Sequence, residues 1–198
     1  MYNRKRIARG AGTAVAAWAL VGLLVMSTGV AYAVPLAGIG GFTISADRIT
    51  SDSMTLYHGV GDTSEIDAYP QAMIELTDAK MLDMRLAKTF DVNAIPGLSG
   101  TAKLRIDTDG QTVGDAVLVK STAMSARGAT FKQFAIEERN TTDPRTAFTM
   151  RADDGIVMQD AEIRAHYLAT NHITLSHMSL VVCYNPDNTD NTYEYGPC

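Results

Sequence analysis

The 198-residue chain has one tryptophan, Trp18, and only 7% aromatic residues. With no tryptophan beyond the first thirty-three residues, the stacking platform that binds carbohydrate is not expected. Cysteine is nearly as scarce: Cys183 and Cys198 are the whole complement, and both lie in the last sixteen residues. No Cys-x-x-Cys or His-Glu-x-x-His occurs, so the common zinc spacings are missing. No Gly-x-Ser-x-Gly occurs either; the nearest stretch, GLSG at Gly97–Gly100, is one residue short of a nucleophile elbow. There is no lipobox cysteine and only one long hydrophobic run.

That run is at the N-terminus. Arg4, Lys5, Arg6 and Arg9 precede Ala11 to Val34, which carries no charge and contains the small-x-small sequence Ala31-Tyr32-Ala33. A basic head, an apolar middle and a small-residue cut site make a secretory signal, cleaved after Ala33. About 20 apolar residues can also span a bilayer, so a retained anchor is the alternative. Residues 1–33 are therefore read as signal peptide or membrane anchor, with an N-terminal hydrophobic helix. Residues 34–198 are read as one exported domain at the cell surface or outside the cell.

Beyond residue 33 stand 13 Lys+Arg against 22 Asp+Glu, a net charge of −9. A chain this acidic has no electrostatic footprint for nucleic acid or anionic headgroups. Export makes a Cys183–Cys198 disulfide the default, closing the polar tail 183–198. In the chain-entropy model such a loop is stabilised by about 3 kcal/mol. Intermolecular pairing and free thiols are the alternatives.

One pattern recurs. IVMQDAEI (Ile156–Ile163) and ITLSHMSL (Ile173–Leu180) both read apolar, x, apolar, x, x, apolar, x, apolar. Ile74, Leu76, Ala79, Met81 and Ala129, Phe131, Phe134, Ile136 repeat it. These offsets gather on no single face of a helix. Each half alternates as a strand does, and the inserted residue suggests a β-bulge or bend that returns the second half to the same core. In IVMQDAEI this turns Met158 and Ala161 inward, with Gln159 and Asp160 at an outward kink. The copies start at 74, 129, 156 and 173, which is not a fixed period. The fold expected is all-β: a single antiparallel or mixed β-sandwich or roll with bent strands, rather than uniform rungs. A short helix over residues 79–88 is the local alternative, and Asp109-Gly110 suits a tight hairpin turn between AKLRID and AVLVK.

Chemistry is thinly provided. His58, His166, His172 and His177 lie among many serines and aspartates, but no spacing selects a catalytic set. His172 and His177, five apart, are too few for a metal site. Asp107–Gly110 and Asp187–Asn191 resemble fragments of calcium loops, and turn chemistry accounts for both. No catalytic residue, metal or cofactor is expected. Eight methionines remain after residue 33. Several fall at inward positions, where methionine fills core space or lines an adaptable surface. Met81, Met84, Phe131, Phe134, Met158 and Met178 are the candidate apolar residues facing a ligand or partner.

Phe42, Ser45, Ala46 and Asp47, then Ala129-Thr130-Phe131, then Leu175, Ser176, Met178 and Leu180 resemble bacterial secreted proteins grouped as domain of unknown function 6230. Some members carry the label cholesterol esterase. The resemblance implies an exported, strand-rich domain associated with a small multi-span membrane protein of the envelope, and it implies no catalytic residues. The expectation is a non-enzymatic envelope protein that assembles with itself or with a membrane-protein partner. The alternatives are a carrier of lipid or another apolar ligand, and an esterase.

Overall fold

The computed structural model describes residues 40–63, 66–93 and 99–186. The expected N-terminal helix, Ala33 and Cys198 lie outside those residues, so the signal, anchor and disulfide expectations are neither met nor overturned.

The strands fall into four long runs. The first is β1 (Phe42–Ser51) and β2 (Ser53–Gly61). The second is β3 (Tyr69–Thr77), β4 (Ala79–Leu82) and β5 (Arg85–Asp91). The third is β6 (Thr101–Asp107), β7 (Gln111–Asp115), β8 (Val117–Ser125), β9 (Gly128–Phe131) and β10 (Phe134–Glu138). A helical turn, α1 (Pro144–Ala147), leads into the fourth: β11 (Phe148–Ala152), β12 (Ile156–Ala169), β13 (His172–Thr174) and β14 (Ser179–Asn185). The all-β expectation holds, and the helix considered over residues 79–88 is strand instead.

All pairing is antiparallel, in one 14-stranded sheet. Each run pairs with the next, and the fourth also pairs with the first. Ser45 pairs with Arg85, Arg85 with Asp107, and Asp107 with Ser179. On its other side Ser45 pairs with Glu162. Ser179 and Glu162 are 17 residues apart on the same run. The walk from Thr50 through Lys80 and Val113 to Thr174, with Val157 on the other side, gives 17 again. Four ladder steps cover about 19 Å, whereas 17 extended residues cover about 56 Å. The fourth run must therefore travel round the core and return. The sheet is a four-stranded ribbon wound on itself, each turn bonded to the next. One wound sheet takes the place of the two facing sheets of a sandwich.

The winding explains the recurrent pattern. In every copy the second of the two inserted residues has a left-handed backbone: Asp78, Gln133, Asp160 and His177, with φ between 44° and 50°. Asp83 and Ala116 have the same backbone, at φ 51° and 48°. These are corners. The pair of inserted residues points out, and the apolar residues on either side both point in. A bulge in one strand would shift its register against its neighbour. Between β1 and β12 no shift occurs: Ala46 faces Ala161 and Arg48 faces Gln159. β1 makes its own two-residue step there, between buried Ala46 and buried Ile49. Of the bulge and the bend expected at this step, the structure shows the bend: a corner that β1 and β12 turn together.

The period is also present. Ile156 and Ile173, on one run, are 17 apart, like the two walks across the sheet. The starts at 74 and 129 lie on other runs, and the chain reverses between runs, which hides the repeat. Asp109-Gly110 is a corner too, not a hairpin turn. Gly110, at φ 97°, donates its N–H to Asp83 Oδ1 at 2.8 Å, and the chain continues in the same sense into β7.

The core lies inside the winding. Ile44, Ile49, Met54, Ile74, Ile156 and Met158 are among its fully buried side chains. On the outside, ion pairs form within and between strands. Asp107 accepts from Arg85 and Arg105, each at 2.6 Å. Partial burial opposes ionisation of Asp107, but the hydrogen bonds from the two guanidinium groups outweigh it and hold the carboxyl below its usual range. Arg145, on α1, stacks over Tyr57 and pairs with Glu75, while Tyr57 Oη donates to Glu75 at 2.7 Å.

Candidate interaction surfaces

A wound ribbon has two edges. The last turn of the third run, residues 122–138, forms one: among the described residues β9 pairs only with β12, and β10 only with β11. The last turn of the fourth run, residues 166–185, forms the other: among the described residues β13 pairs with β7 and β14 with β6. Among the described residues no further turn lies beyond the inward-facing side chains on these turns. On the first edge Phe134 is 46% exposed and Ile136 54%. On the second, Leu180 is 49% exposed and Val182 60%.

The two edges differ in charge. The first carries Arg127, Lys132, Glu137, Glu138 and Arg139 at or beside its strands. Some of these are paired: Arg127 with Asp160, and Glu137 with Arg139 and Arg151. The second carries none. From Ala165 to Pro186 there is no Asp, Glu, Lys or Arg.

The six apolar candidates are dispersed. Met81, Met84 and Met158 are between 1% and 4% exposed, so they fill the core and cannot face a partner. Their period-two positions are inward ones, and a wound sheet has only one apolar face. Phe131 is half-buried against the core, with its ring 5.1 Å from that of Phe134, which is exposed on the first edge. Met178 is half-buried on the second edge, beside the corner at His177. Cys183 is fully buried on β14. Sequence reasoning missed Ile136, Leu180 and Val182 as surface residues. The signal that could have found the second edge is the uncharged run 165–186.

The histidines do not converge. His166 is 3.2 Å from Thr122 Oγ1, His172 is 3.3 Å from Thr174 Oγ1, and His177 is 3.2 Å from the Asp109 carbonyl. None of these three contacts is with a serine. Ser99, of the GLSG stretch, donates to the Pro186 carbonyl at 3.2 Å. Among the described residues no cluster of three or more His, Cys, Asp or Glu is arranged to hold a metal. A surface concavity of about 560 Å³ lies at a corner, where Asp52, Lys132, Asp153 and Asp154 give it a polar lining.

The model of the Family of unknown function (DUF6230) matches residues 40–187. The chain belongs to this family. The matched segment starts two residues before β1 and ends two residues after β14, so membership covers the whole winding and both of its edges. Comparison with curated proteins and with solved structures returned no match.

Proposed function

We propose that this member of the family is a non-enzymatic subunit of the cell envelope, exported by its N-terminal segment, that works by associating with itself or with a small membrane protein. The observation that carries this reading is the pair of edges with exposed apolar side chains, Phe134 and Ile136 on one and Leu180 and Val182 on the other. A carrier of lipid needs a continuous apolar cavity of several hundred Å³. Here buried methionine, isoleucine and valine side chains occupy the inner face of the sheet. An open edge with exposed apolar side chains is instead a template for adding a strand. Cleavage after Ala33 and a Cys183–Cys198 disulfide belong to the same reading, as the signature of an exported chain.

The test is purification of the tagged full chain from membranes of an expressing bacterium, followed by mass spectrometry of what accompanies it. A protein in fixed ratio, whether a membrane protein or untagged copies of the same chain, is the expected result. Stoichiometric lipid without any protein would favour the carrier, and hydrolysis of an ester substrate by the purified chain would favour an enzyme.

A further inference from the structure

We infer that the first edge is the interface of a two-fold dimer, in which β10 pairs antiparallel with β10 of a second copy about Ala135. This rests on the subunit reading above and names the partner that the edge fits.

The open side of β10 follows from its hydrogen bonds. Arg139 donates its N–H to the Ala147 carbonyl at 2.9 Å, and the Gln133 carbonyl accepts from Asp153 at 3.5 Å. Backbone groups alternate in direction along an antiparallel strand. The odd-numbered residues from 133 to 139 therefore point theirs at β11. Phe134, Ile136 and Glu138 point theirs the other way, where among the described residues no strand lies. Residues 122–139 make no hydrogen bond or ion pair with anything outside the described residues. The side chains of Phe134 and Ile136 are 46% and 54% exposed.

Charge selects the occupant. Charges on an edge guard it when they repel an incoming strand. Those around β10 repel a second copy in some registers and attract it in one. In a two-fold contact each residue meets the residue equally far from the axis on the other copy, and matching backbone groups confine the axis to a residue position. An axis at Glu137 or Glu138 sets like charges face to face, which destabilises a ladder. An axis at Ile136 sets Phe134 against Glu138, and an axis at Phe134 sets Lys132 against Ile136. An axis at Ala135 sets Phe134 against Ile136, Gln133 against Glu137 and Lys132 against Glu138, each twice. In that register Phe134 and Ile136 exchange N–H and C=O bonds with Ile136 and Phe134 of the second copy, and their side chains cover one another. Glu138 stands about 20 Å from its own copy. Glu137 keeps its pairing with Arg139 and Arg151. Residues 122–139 carry three basic side chains against two acidic ones, on a domain whose net charge beyond residue 33 is −9. This edge is therefore where two acidic copies repel least.

The experiment is sedimentation equilibrium of the purified full chain over a range of concentrations. The samples are the wild type, Lys132→Glu, Glu138→Lys, the double variant, and an equal mixture of the two single variants. The wild type should sediment at twice the mass of one chain. Each single reversal sets like charges at both places where Lys132 meets Glu138 and should weaken the dimer by about tenfold or more. The double variant should regain it. So should the mixture, in which one copy supplies the carboxylates and the other the ammonium groups. Lys132 and Glu138 are exposed, so the variants should keep the wild-type circular dichroism. If one single variant loses it, the other and the double variant carry the same test. A monomeric wild type overturns the inference, as does a dimer indifferent to the single reversals. A double variant that stays as weak as the single ones also overturns it. A mass that climbs beyond two copies with concentration overturns it in favour of head-to-tail stacking. If the wild type is monomeric yet still retains a membrane protein through purification, the dimer is wrong and the subunit reading stands. If it retains nothing, both fall.

Discussion

Asp78 turns the chain between β3 and β4 with φ at 50°. For an L-residue the left-handed region costs roughly 1–2 kcal/mol, less for Asp and Asn, whose short polar side chains bond locally. Asp83 and Asp160 meet the same demand at other corners, and Asp52, Asp153 and Asp154 stand at corner positions nearby. Much of the chain's acidity is thus corner chemistry rather than a surface designed for a cation. Glycine adopts this conformation without strain, and a β-branched residue does so poorly. Asp78→Gly should hold or slightly raise the urea midpoint, and Asp78→Val should lower stability by about 1–2 kcal/mol. Equal losses in the two variants would mean that the carboxylate itself, not the backbone, holds the corner.

An element that turns a corner keeps its inward face only if the step has the right length. In β12, Ile156 and Met158 are buried before the corner, and Ala161, Ile163 and Ala165 after it. This alternation was legible in the sequence because burial in a strand has period two and the inserted residue shows as a break in phase. The assembly of the elements was not. Antiparallel runs reverse the order in which corners are met, so a repeat of 17 residues looks irregular along the chain. The corner at Ala46-Asp47-Arg48-Ile49 escaped notice because alternation from Phe42 to Ala46 already satisfied a simple strand. The interaction surface was half legible. Met81 and Met178 fit one template, yet one is core and the other lies on an edge, and only the pairing of neighbouring strands separates them. Deleting Asp160 should turn Ala161, Ile163 and Ala165 outward and bring Glu162 and Arg164 toward the core, because a one-residue slip inverts every later side chain. Export of the deletion variant should fail. Deleting Thr141, in the loop before α1, should leave export and the β-type circular dichroism near wild type. Comparable export of both would show that the corner tolerates a change of length.

At the scale of the molecule, the winding resembles a repeat array but is connected differently. In an ordinary solenoid each turn packs on the turn next to it in sequence, and stability is close to a sum over turns, so parts can unfold separately. Here a turn's neighbours come from all four runs. Phe42 pairs with Ala165, Thr43 with both Arg164 and Ala87, and Ala87 with Arg105. Stripping the first run from the core would unpair parts of β3, β4, β5, β11 and β12 at once. Among the described residues only the two edge turns are bonded to the sheet on a single side, so only they can detach without breaking the rest. The domain should therefore unfold in one cooperative step, despite its 17-residue repeat, and fold slowly, on a scale of milliseconds to seconds or longer, because its pairings join distant parts of the chain. Far-ultraviolet circular dichroism reports the whole sheet. Tyrosine emission reports local packing at six positions beyond residue 33, among them Tyr57, between β3 and α1, and Tyr167, beside Lys120 on β8. The two melting curves should coincide at low protein concentration. Two separated transitions, or tyrosine emission changing well before the dichroism, would mean that the turns hold together in pairs of neighbours and that the circuit of four runs is not what stabilises the fold.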